Sequence, residues 1–251
     1  MPCKAIFQRV SRVLKRSHAY QPAAPSIDYY MKFGVNPRRK MREYQTIKAP
    51  CERELIIKKS KFIGQLYPVN SFEEAQDKLN EVKKKYWDAT HNCSAIIVGE
   101  GGEYTRCSDD GEPQGTAGVP MLEALKNTGL TGVLCIVTRY FGGILLGAGG
   151  LVRAYGSAVT EVASACERYL YRPYLVYEAE LPFKLWGKAQ SQILSSGWRI
   201  KDIRYTSCVQ AQVYIPLNSG EDYEKLLLEL SAGTVIARNL GEELVEIKLS
   251  S

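Results

Sequence analysis

The feature that most constrains this chain is a glycine-rich stretch at residues 137–159, VTRYFGGILLGAGGLVRAYGSAV, with six glycines in 23 positions. Each glycine inside a helix or strand costs roughly 0.5–1 kcal/mol relative to alanine, so six of them require a geometric reason. The stretch follows an apolar, strand-like segment and precedes a helical pattern. We therefore expect a close-packed turn that presents free amide N–H groups at the start of a helix.

The stretch matches neither of two common phosphate-binding motifs. Gly142 and Gly147 have the spacing of a Walker A loop, but Ala148 stands where that motif has lysine. Gly147 and Gly149 begin a dinucleotide-binding pattern, but Val152 stands where glycine or alanine is expected. The free amides at the helix start still favour an anionic partner.

The positive charge of the chain is concentrated at its beginning. The net charge is +6, but residues 1–40 contain nine Lys or Arg and one acid, so the remainder has 24 bases and 26 acids. Residues 41–251 thus lack a global positive charge, and any nucleic-acid binding there has to be local. Residues 1–40 combine a basic amphipathic pattern with prolines, which fits an upstream extension before Met41, a solvated tail or a targeting segment. We expect them to lie outside the fold.

The cysteine and histidine counts limit the chemistry. Seven cysteines are spread singly without a C-x-x-C motif, which indicates reduced, structural cysteines in a cytoplasmic protein. With only His18 and His91, a multi-histidine zinc site is excluded, and we expect neither a metal nor a cofactor. No run approaches the roughly 20 apolar residues that span a bilayer, so we expect no membrane partner.

The order of predicted elements changes near Pro173. Residues 41–172 predict a mixed domain of strands and helices, whereas residues 173–251 predict the order βαββαβ, which is the ferredoxin-like arrangement. The sequence therefore predicts two α+β domains with a boundary at residues 172 and 173.

Polar residues next to predicted strand ends and helix starts are the candidates for a site. Asp109, Asp110 and Glu112 fit either an exposed turn or a metal or acid–base cluster. We expect them, with His91, to share a groove with the arginines that flank the glycines; a ligand site and an internal ion-pair network both remain open. The ligand-binding candidates are His91, Asp109, Asp110, Glu112, Arg139, Tyr140, Gly142, Gly143, Gly147, Gly149, Gly150 and Arg153.

Four segments, SKFIG, WDATHNCSA, SDDGEPQGTAGVPML and VTRYFGGILLGAGGLVRAYGSA, resemble the IMPACT family in its bacterial, YigZ-type branch. The resemblance runs from about residue 45 to the end of the chain. It implies a left-handed βαβ domain, as in ribosomal proteins and domain IV of elongation factor G. It also implies a ferredoxin-like domain similar to the C-terminal domain of that factor.

The resemblance also implies a link to translation. Eukaryotic members regulate the kinase that senses amino-acid starvation through an added RWD domain, and residues 1–40 are too short to form one, so that role is not carried over. One hypothesis is a cytoplasmic, translation-associated protein that binds RNA or a ribosomal component through the polar groove. The other is an enzyme that acts on a phosphorylated small molecule or nucleotide through the glycine-rich loop, which resembles that of GHMP kinases.

Overall fold

The structure of the protein, a computed structural model, describes residues 41–249. The expectation that residues 1–40 lie outside the fold concerns residues beyond this range. The ten strands of the described part are β1 (Tyr44–Ile47), β2 (Cys51–Ile57), β3 (Ser60–Pro68), β4 (His91–Val98), β5 (Tyr104–Ser108), β6 (Val133–Tyr140), β7 (Arg168–Leu181), β8 (Arg199–Tyr205), β9 (Val209–Pro216) and β10 (Arg238–Lys248). Its five helices are α1 (Phe72–Lys85), α2 (Gly118–Asn127), α3 (Ala148–Ala165), α4 (Phe183–Ser195) and α5 (Gly220–Leu230).

The first domain is built on a five-stranded sheet with the order β2-β3-β6-β4-β5. Every neighbouring pair is antiparallel, so β3 and β4 run parallel on either side of β6. Helix α1 connects these two strands. Ser71 caps α1 by accepting a hydrogen bond from the backbone N–H of Glu74 at 3.2 Å.

Helices cover both faces of the first sheet. Alternation along β6 sends Leu134 and Ile136 to the side of α1, and Cys135 and Val137 to the side of α2 and α3. The small-residue face of α3 lets that helix approach the sheet closely. A Cβ on Gly64 of β3 would lie 2.8 Å from the carbonyl oxygen of Ala158, so glycine is required there.

The second domain has the ferredoxin-like strand order. Its antiparallel sheet runs β10-β7-β9-β8, and the core residues of α4 and α5 pack with it into one hydrophobic cluster. Trp186, Ile193, Tyr223 and Leu227 supply much of this core. The fold is therefore α+β with two domains, as the sequence predicts.

Strand β1 connects the two domains in a way that the sequence did not predict. Its backbone pairs with residues 168–171 of β7 in the second sheet, whereas Ile47 packs into the core of the first domain. The four-residue strand has too short a pattern to reveal this pairing. Strand β7 runs through Pro173 without a break, and Pro173 stands opposite Leu244 of β10.

A disulfide joins Cys51, at the start of β2, to Cys166, directly after α3. The prediction that all cysteines are reduced is therefore wrong for this pair. The two residues are 115 positions apart in the sequence, yet their Cα atoms lie 5.7 Å apart. Only the packing of α3 against β2 brings them together.

We expect Ile47→Ala to destabilise the protein by about 2–5 kcal/mol, because it removes a fully buried side chain from the first core. The urea midpoint of unfolding measures the effect. Ile56→Ala is the matched control, since Ile56 also lies in a strand but is exposed, and we expect a change within about 0.5 kcal/mol. Equal effects of the two variants would contradict the bridging role of β1.

Candidate functional site

Most of the polar candidates meet at one end of the first sheet. The end of β6 lies beside the start of β4, where Arg139 stands opposite His91. The loop that follows β5 carries Asp109, Asp110 and Glu112 to the same end. Strand β4 runs antiparallel to both β5 and β6. The start of β4 therefore lies between the end of β5 and the end of β6, and the loops at these three points converge.

The centre of this end is a buried ion pair. Nη1 of Arg139 donates to Oε1 of Glu112 at 2.5 Å, and the two side chains are only 6 % and 2 % exposed. The hydroxyl of Tyr155 on α3 donates to the same oxygen at 2.7 Å. Burial, followed by the neighbouring Cys93 and Glu112, raises the pKa of Tyr155 far above its ordinary value, so this hydroxyl stays a donor.

Aromatic rings hold the guanidinium of Arg139. Its Cζ lies 5.4 Å from the ring centroid of Phe62 and 5.6 Å from that of Phe141, which is the range of cation–π interaction. Nη2 makes a long contact of 3.5 Å with the hydroxyl of Ser60, and Nε is buried without a hydrogen-bond partner among residues 41–249. The sequence analysis did not single out Tyr155, Phe62 or Ser60.

His91 is oriented by the backbone. Its Nδ1 lies 2.9 Å from the carbonyl oxygen of Asp110. A carbonyl oxygen only accepts hydrogen bonds, so Nδ1 carries a hydrogen and is the donor. Its Nε2 faces Oε2 of Glu112 at 3.9 Å. The ring is therefore held with Nε2 directed toward the carboxylate of Glu112.

Asp109 caps α2. Its carboxylate accepts hydrogen bonds from the backbone N–H groups of Gly115, Ala117 and Gly118 at 2.8–3.0 Å. Burial alone would raise the pKa of Asp109, but these three donors outweigh burial and hold the pKa below its ordinary value. The side chain thus organises the loop between β5 and α2.

Asp110 links that loop to α1 and β4. Its carboxylate lies 2.5 Å from Nζ of Lys83 and accepts a hydrogen bond from the backbone N–H of Asn92 at 2.7 Å. The backbone of Asp110 has a φ of 46°, a left-handed conformation that aspartate tolerates better than most residues. Lys83, at the end of α1, thus has a structural partner.

Two glycines of the 137–159 stretch have clear geometric reasons. A Cβ on Gly142 would lie 2.0 Å from the carbonyl carbon of Lys59, so the loop after β6 packs directly on the β2–β3 turn. Gly147 has a φ of 71° and is the N-cap of α3, without a side-chain capping bond. Gly143 also has a positive φ, while Gly149 and Gly150 lie in the first turn of α3.

Two candidates lie outside the polar cluster. Tyr140 donates to Oδ1 of Asp88 at 2.9 Å, on the other face of β6 from Arg139. Arg153 lies in the second turn of α3, because this helix begins at Ala148. It is exposed and has no ion-pair partner within residues 41–249. The internal arginine is Arg139, and its partner is Glu112 rather than Asp109 or Asp110.

A pocket of about 380 Å³ opens above the ion pair. His91, Glu112 and Arg139 form its polar floor, and its walls are mainly apolar. The wall residues are Thr90, Pro113, Phe141, Leu145, Leu146, Gly147, Ala148 and Leu151. The volume is in the range of small-molecule sites, and the charges in its floor are paired with each other.

The described residues limit the chemistry of this pocket. Among residues 41–249, no group of three or more His, Cys, Asp or Glu side chains is arranged to hold a metal ion. Burial raises the pKa of the nearby Cys93 to about 12, so its sulfur is a thiol rather than a nucleophilic thiolate at neutral pH. Within the same residues, no helix has the length and apolarity to cross a bilayer.

Comparison with known proteins decides the family. Residues 58–163 match the Impact N-terminal domain, and residues 180–234 match a domain of unknown function, DUF1949. The chain is 40 % identical to "IMPACT family member YvyE" of Bacillus subtilis, over 77 % of this chain and 89 % of that protein. This chain belongs to the IMPACT family.

Further relatives agree with this assignment. "IMPACT family member YigZ" of Escherichia coli is 32 % identical over 71 % of this chain and 89 % of its own length. The "Protein IMPACT homolog" of Dictyostelium discoideum is 44 % identical, over 36 % of this chain and 27 % of its own. A crystal structure described as "an hypothetical protein" is 30 % identical, covers 79 % of this IMPACT-family chain and 97 % of its own, and has a TM-score of 0.50.

We expect Glu112→Gln to destabilise the protein by about 3–5 kcal/mol, because it leaves the buried Arg139 charge without its partner. Urea denaturation at neutral pH measures the change. Glu54→Gln is the matched control, since the Glu54–Lys61 pair is exposed and an exposed pair contributes about 0–1 kcal/mol. A Glu112 variant as stable as the control would contradict the ion pair.

We expect the stability of the Asp109→Asn variant to fall less than that of the parent protein as the pH is lowered. The pKa of the Asp109 carboxyl is lowered in the folded state, so its ionised form stabilises the fold at any pH above the ordinary pKa of aspartate. This stabilisation is lost as the pH falls from the ordinary pKa through the lower pKa of the folded state. The parent protein should therefore lose more stability than the variant between neutral pH and about pH 3. Urea midpoints across this range test it, and parallel curves would contradict the proposed capping role.

Proposed function

We propose that this IMPACT-family protein binds single-stranded RNA at the pocket end of its first domain. Two groups of cations have no ion-pair partner in the described residues and lie on elements that adjoin the pocket. Lys58 and Lys59 form the β2–β3 turn, on which the loop after β6 packs, and Arg153 lies on α3, whose first turn lines the pocket. This local charge supplies the phosphate contacts that the net charge of −2 over residues 41–251 does not.

The conformation of the β2–β3 turn carries the proposal. Ile57 pairs with Ser60, so the two lysines alone form the turn, and their φ angles are 46° and 66°. Such a two-residue hairpin with positive φ at both positions favours Asn-Gly, because a side chain in the left-handed region costs roughly 1–2 kcal/mol per residue. Two exposed lysines held at this cost, against the glycine-rich loop, indicate a functional requirement for their charge.

Exposed aromatic rings complete the surface. Trp87 is 82 % exposed in the segment between α1 and β4, and Phe141 is 46 % exposed at the rim of the pocket. Aromatic rings beside unpaired cations are the usual platform for single-stranded nucleic acid, since each stacked base contributes about 1–3 kcal/mol. A translation-associated role, as the family resemblance implies, and a cytoplasmic location belong to the same proposal.

The alternative is an enzyme that acts on a phosphorylated small molecule. One observation favours it. Gly147, the N-cap residue of α3, makes no side-chain capping hydrogen bond and lines the pocket. The free N–H groups of a helix N-terminus attract phosphate. However, Arg139 in the pocket floor is neutralised by Glu112 at 2.5 Å. The pocket therefore offers a phosphate no unpaired cation, and the free cations lie outside it, which favours the RNA proposal.

We expect the double variant Lys58→Asn/Lys59→Gly to bind RNA more weakly while folding more stably. The variant relieves the strained turn and removes two phosphate contacts. Fluorescence anisotropy with a labelled single-stranded RNA, measured over a salt series, should show a salt slope smaller by about 1.4, or about 0.7 per contact. The urea midpoint of the same variant should rise.

The matched control removes two exposed lysines of the second domain, Lys184→Gln/Lys188→Gln. It should leave the affinity and the salt slope unchanged. Equal losses in both variants would show that binding is non-specific. Absence of RNA binding by the parent protein at low salt would overturn the proposed function, and turnover of a phosphorylated compound would support the alternative.

A further inference from the structure

The chain passes between the two domains at two places that lie side by side. Residues 48–50 lead from β1, in the second sheet, to β2, in the first sheet. Residues 166–167 lead from α3, in the first domain, back to β7 in the second sheet. The disulfide between Cys51 and Cys166 joins these two crossings, so it bridges the junction of the domains.

The disulfide restrains both strands of the β1–β7 ladder at one end. Ile47, the last residue of β1, pairs with Arg168, the first residue of β7. Only residues 48–50 separate Ile47 from Cys51, and only Glu167 separates Cys166 from Arg168. Because so little chain lies between the bond and the ladder, the bond limits how far β1 can move from β7.

The ion pairs at this end of the ladder are weaker restraints. Lys48 pairs with Glu246, and Glu167 pairs with Lys248, and all four side chains are exposed. Exposed ion pairs contribute little to stability, because water and salt compete for both charges. Ile47 is buried in the first core, so the loss of the disulfide would loosen the junction without separating the domains.

Both sulfurs also have a hydrogen-bond acceptor for the reduced state. Sγ of Cys166 lies 3.2 Å from the carbonyl oxygen of Val162, and Sγ of Cys51 lies 3.8 Å from that of Ala49. A thiol is a weak donor, so each reduced cysteine has a carbonyl oxygen to which it can donate. Cys51 is half-buried and Cys166 is buried, so a dissolved thiol reaches the sulfur of Cys51 first.

We propose that Cys51 and Cys166 form a redox switch that tightens or loosens the domain junction by exchange with small thiols such as glutathione. A thiolate attacks Sγ of Cys51, forms a mixed disulfide with it and releases the sulfur of Cys166. A second thiolate attacks the external sulfur of the mixed disulfide and releases Cys51. Two external thiols thus become one external disulfide, and their electrons and protons convert the protein disulfide into two thiols. An external disulfide closes the bond by the reverse steps.

This switch goes beyond the proposed RNA binding. The proposed cytoplasmic location supports a switch rather than a permanent bond, because disulfides in reducing compartments are usually transient and redox-sensing. Within residues 41–249, the remaining cysteines are free, so the Cys51–Cys166 pair is the one that can respond as a disulfide; these free cysteines are Cys93, Cys107, Cys135 and Cys208.

The test uses the full chain, equilibrated in a reducing and in an oxidising glutathione buffer. Alkylation in denaturant after an acid quench, followed by mass spectrometry, reports the state of each cysteine. Cys51 and Cys166 should be alkylated from the reducing buffer and protected together from the oxidising one. Hydrogen exchange of residues 44–49 should be about tenfold faster in the reducing buffer, because a restraint on local opening is lost. Exchange in α1 should be equal in both buffers.

Two variants locate the effect. Cys51→Ser/Cys166→Ser should show the fast exchange of residues 44–49 in both buffers. Cys107→Ser/Cys208→Ser is the matched control, since both cysteines are free and half-buried, and it should keep the full response of the parent protein. If the first variant fails to fold, the comparison of the parent protein in the two buffers decides.

Three results would overturn the switch. The first is a Cys51–Cys166 pair that stays reduced in the oxidising buffer or oxidised in the reducing buffer. The second is equal exchange of residues 44–49 in the two redox states. The third is an equal acceleration of exchange in α1, because it would show a general loss of stability rather than a looser junction.

Discussion

The buried ion pair between Glu112 and Arg139 is the interaction on which the pocket end of the first domain depends. Removing two charges from water costs several kcal/mol per ion, so such a pair persists only with close contact and further hydrogen bonds. Here the contact is 2.5 Å, and Tyr155 donates a second hydrogen bond to the carboxylate. Arg139 lies on β6, Glu112 in the β5–α2 loop and Tyr155 on α3. The ion pair and the tyrosine hydrogen bond therefore hold these three elements together.

The ion pair also explains how the site separates neutral and charged contacts. Its charges cancel within the pocket floor, where Nε2 of His91 faces the second carboxylate oxygen of Glu112 at 3.9 Å. The cations without partners in the described residues lie outside, at the β2–β3 turn and on α3.

The glycine-rich stretch has a packing explanation at Gly142. Gly142 allows the loop to pack on Lys59, which keeps the strained turn of Lys58 and Lys59 beside the pocket. Stability alone would favour Asn-Gly at the positions of Lys58 and Lys59, because these residues adopt the positive φ angles of the turn with less strain. The same packing places Phe141 at the pocket rim.

The sequence by itself determined the local structure. The close-packed turn of the glycine-rich stretch and the ferredoxin-like order after residue 173 both follow from patterns within single elements and from their succession along the chain. Only the tertiary structure decided which arginine is internal. Arg139 and Arg153 both flank the glycines, but the register of β6 against β4 sets Arg139 opposite His91, and the loop after β5 brings Glu112 to it from 27 residues away. The pairing of β1 with β7 and of Cys51 with Cys166 was likewise decided by packing of the core. Contacts between distant residues depend on how whole elements pack, whereas propensities and caps act within a single turn or strand.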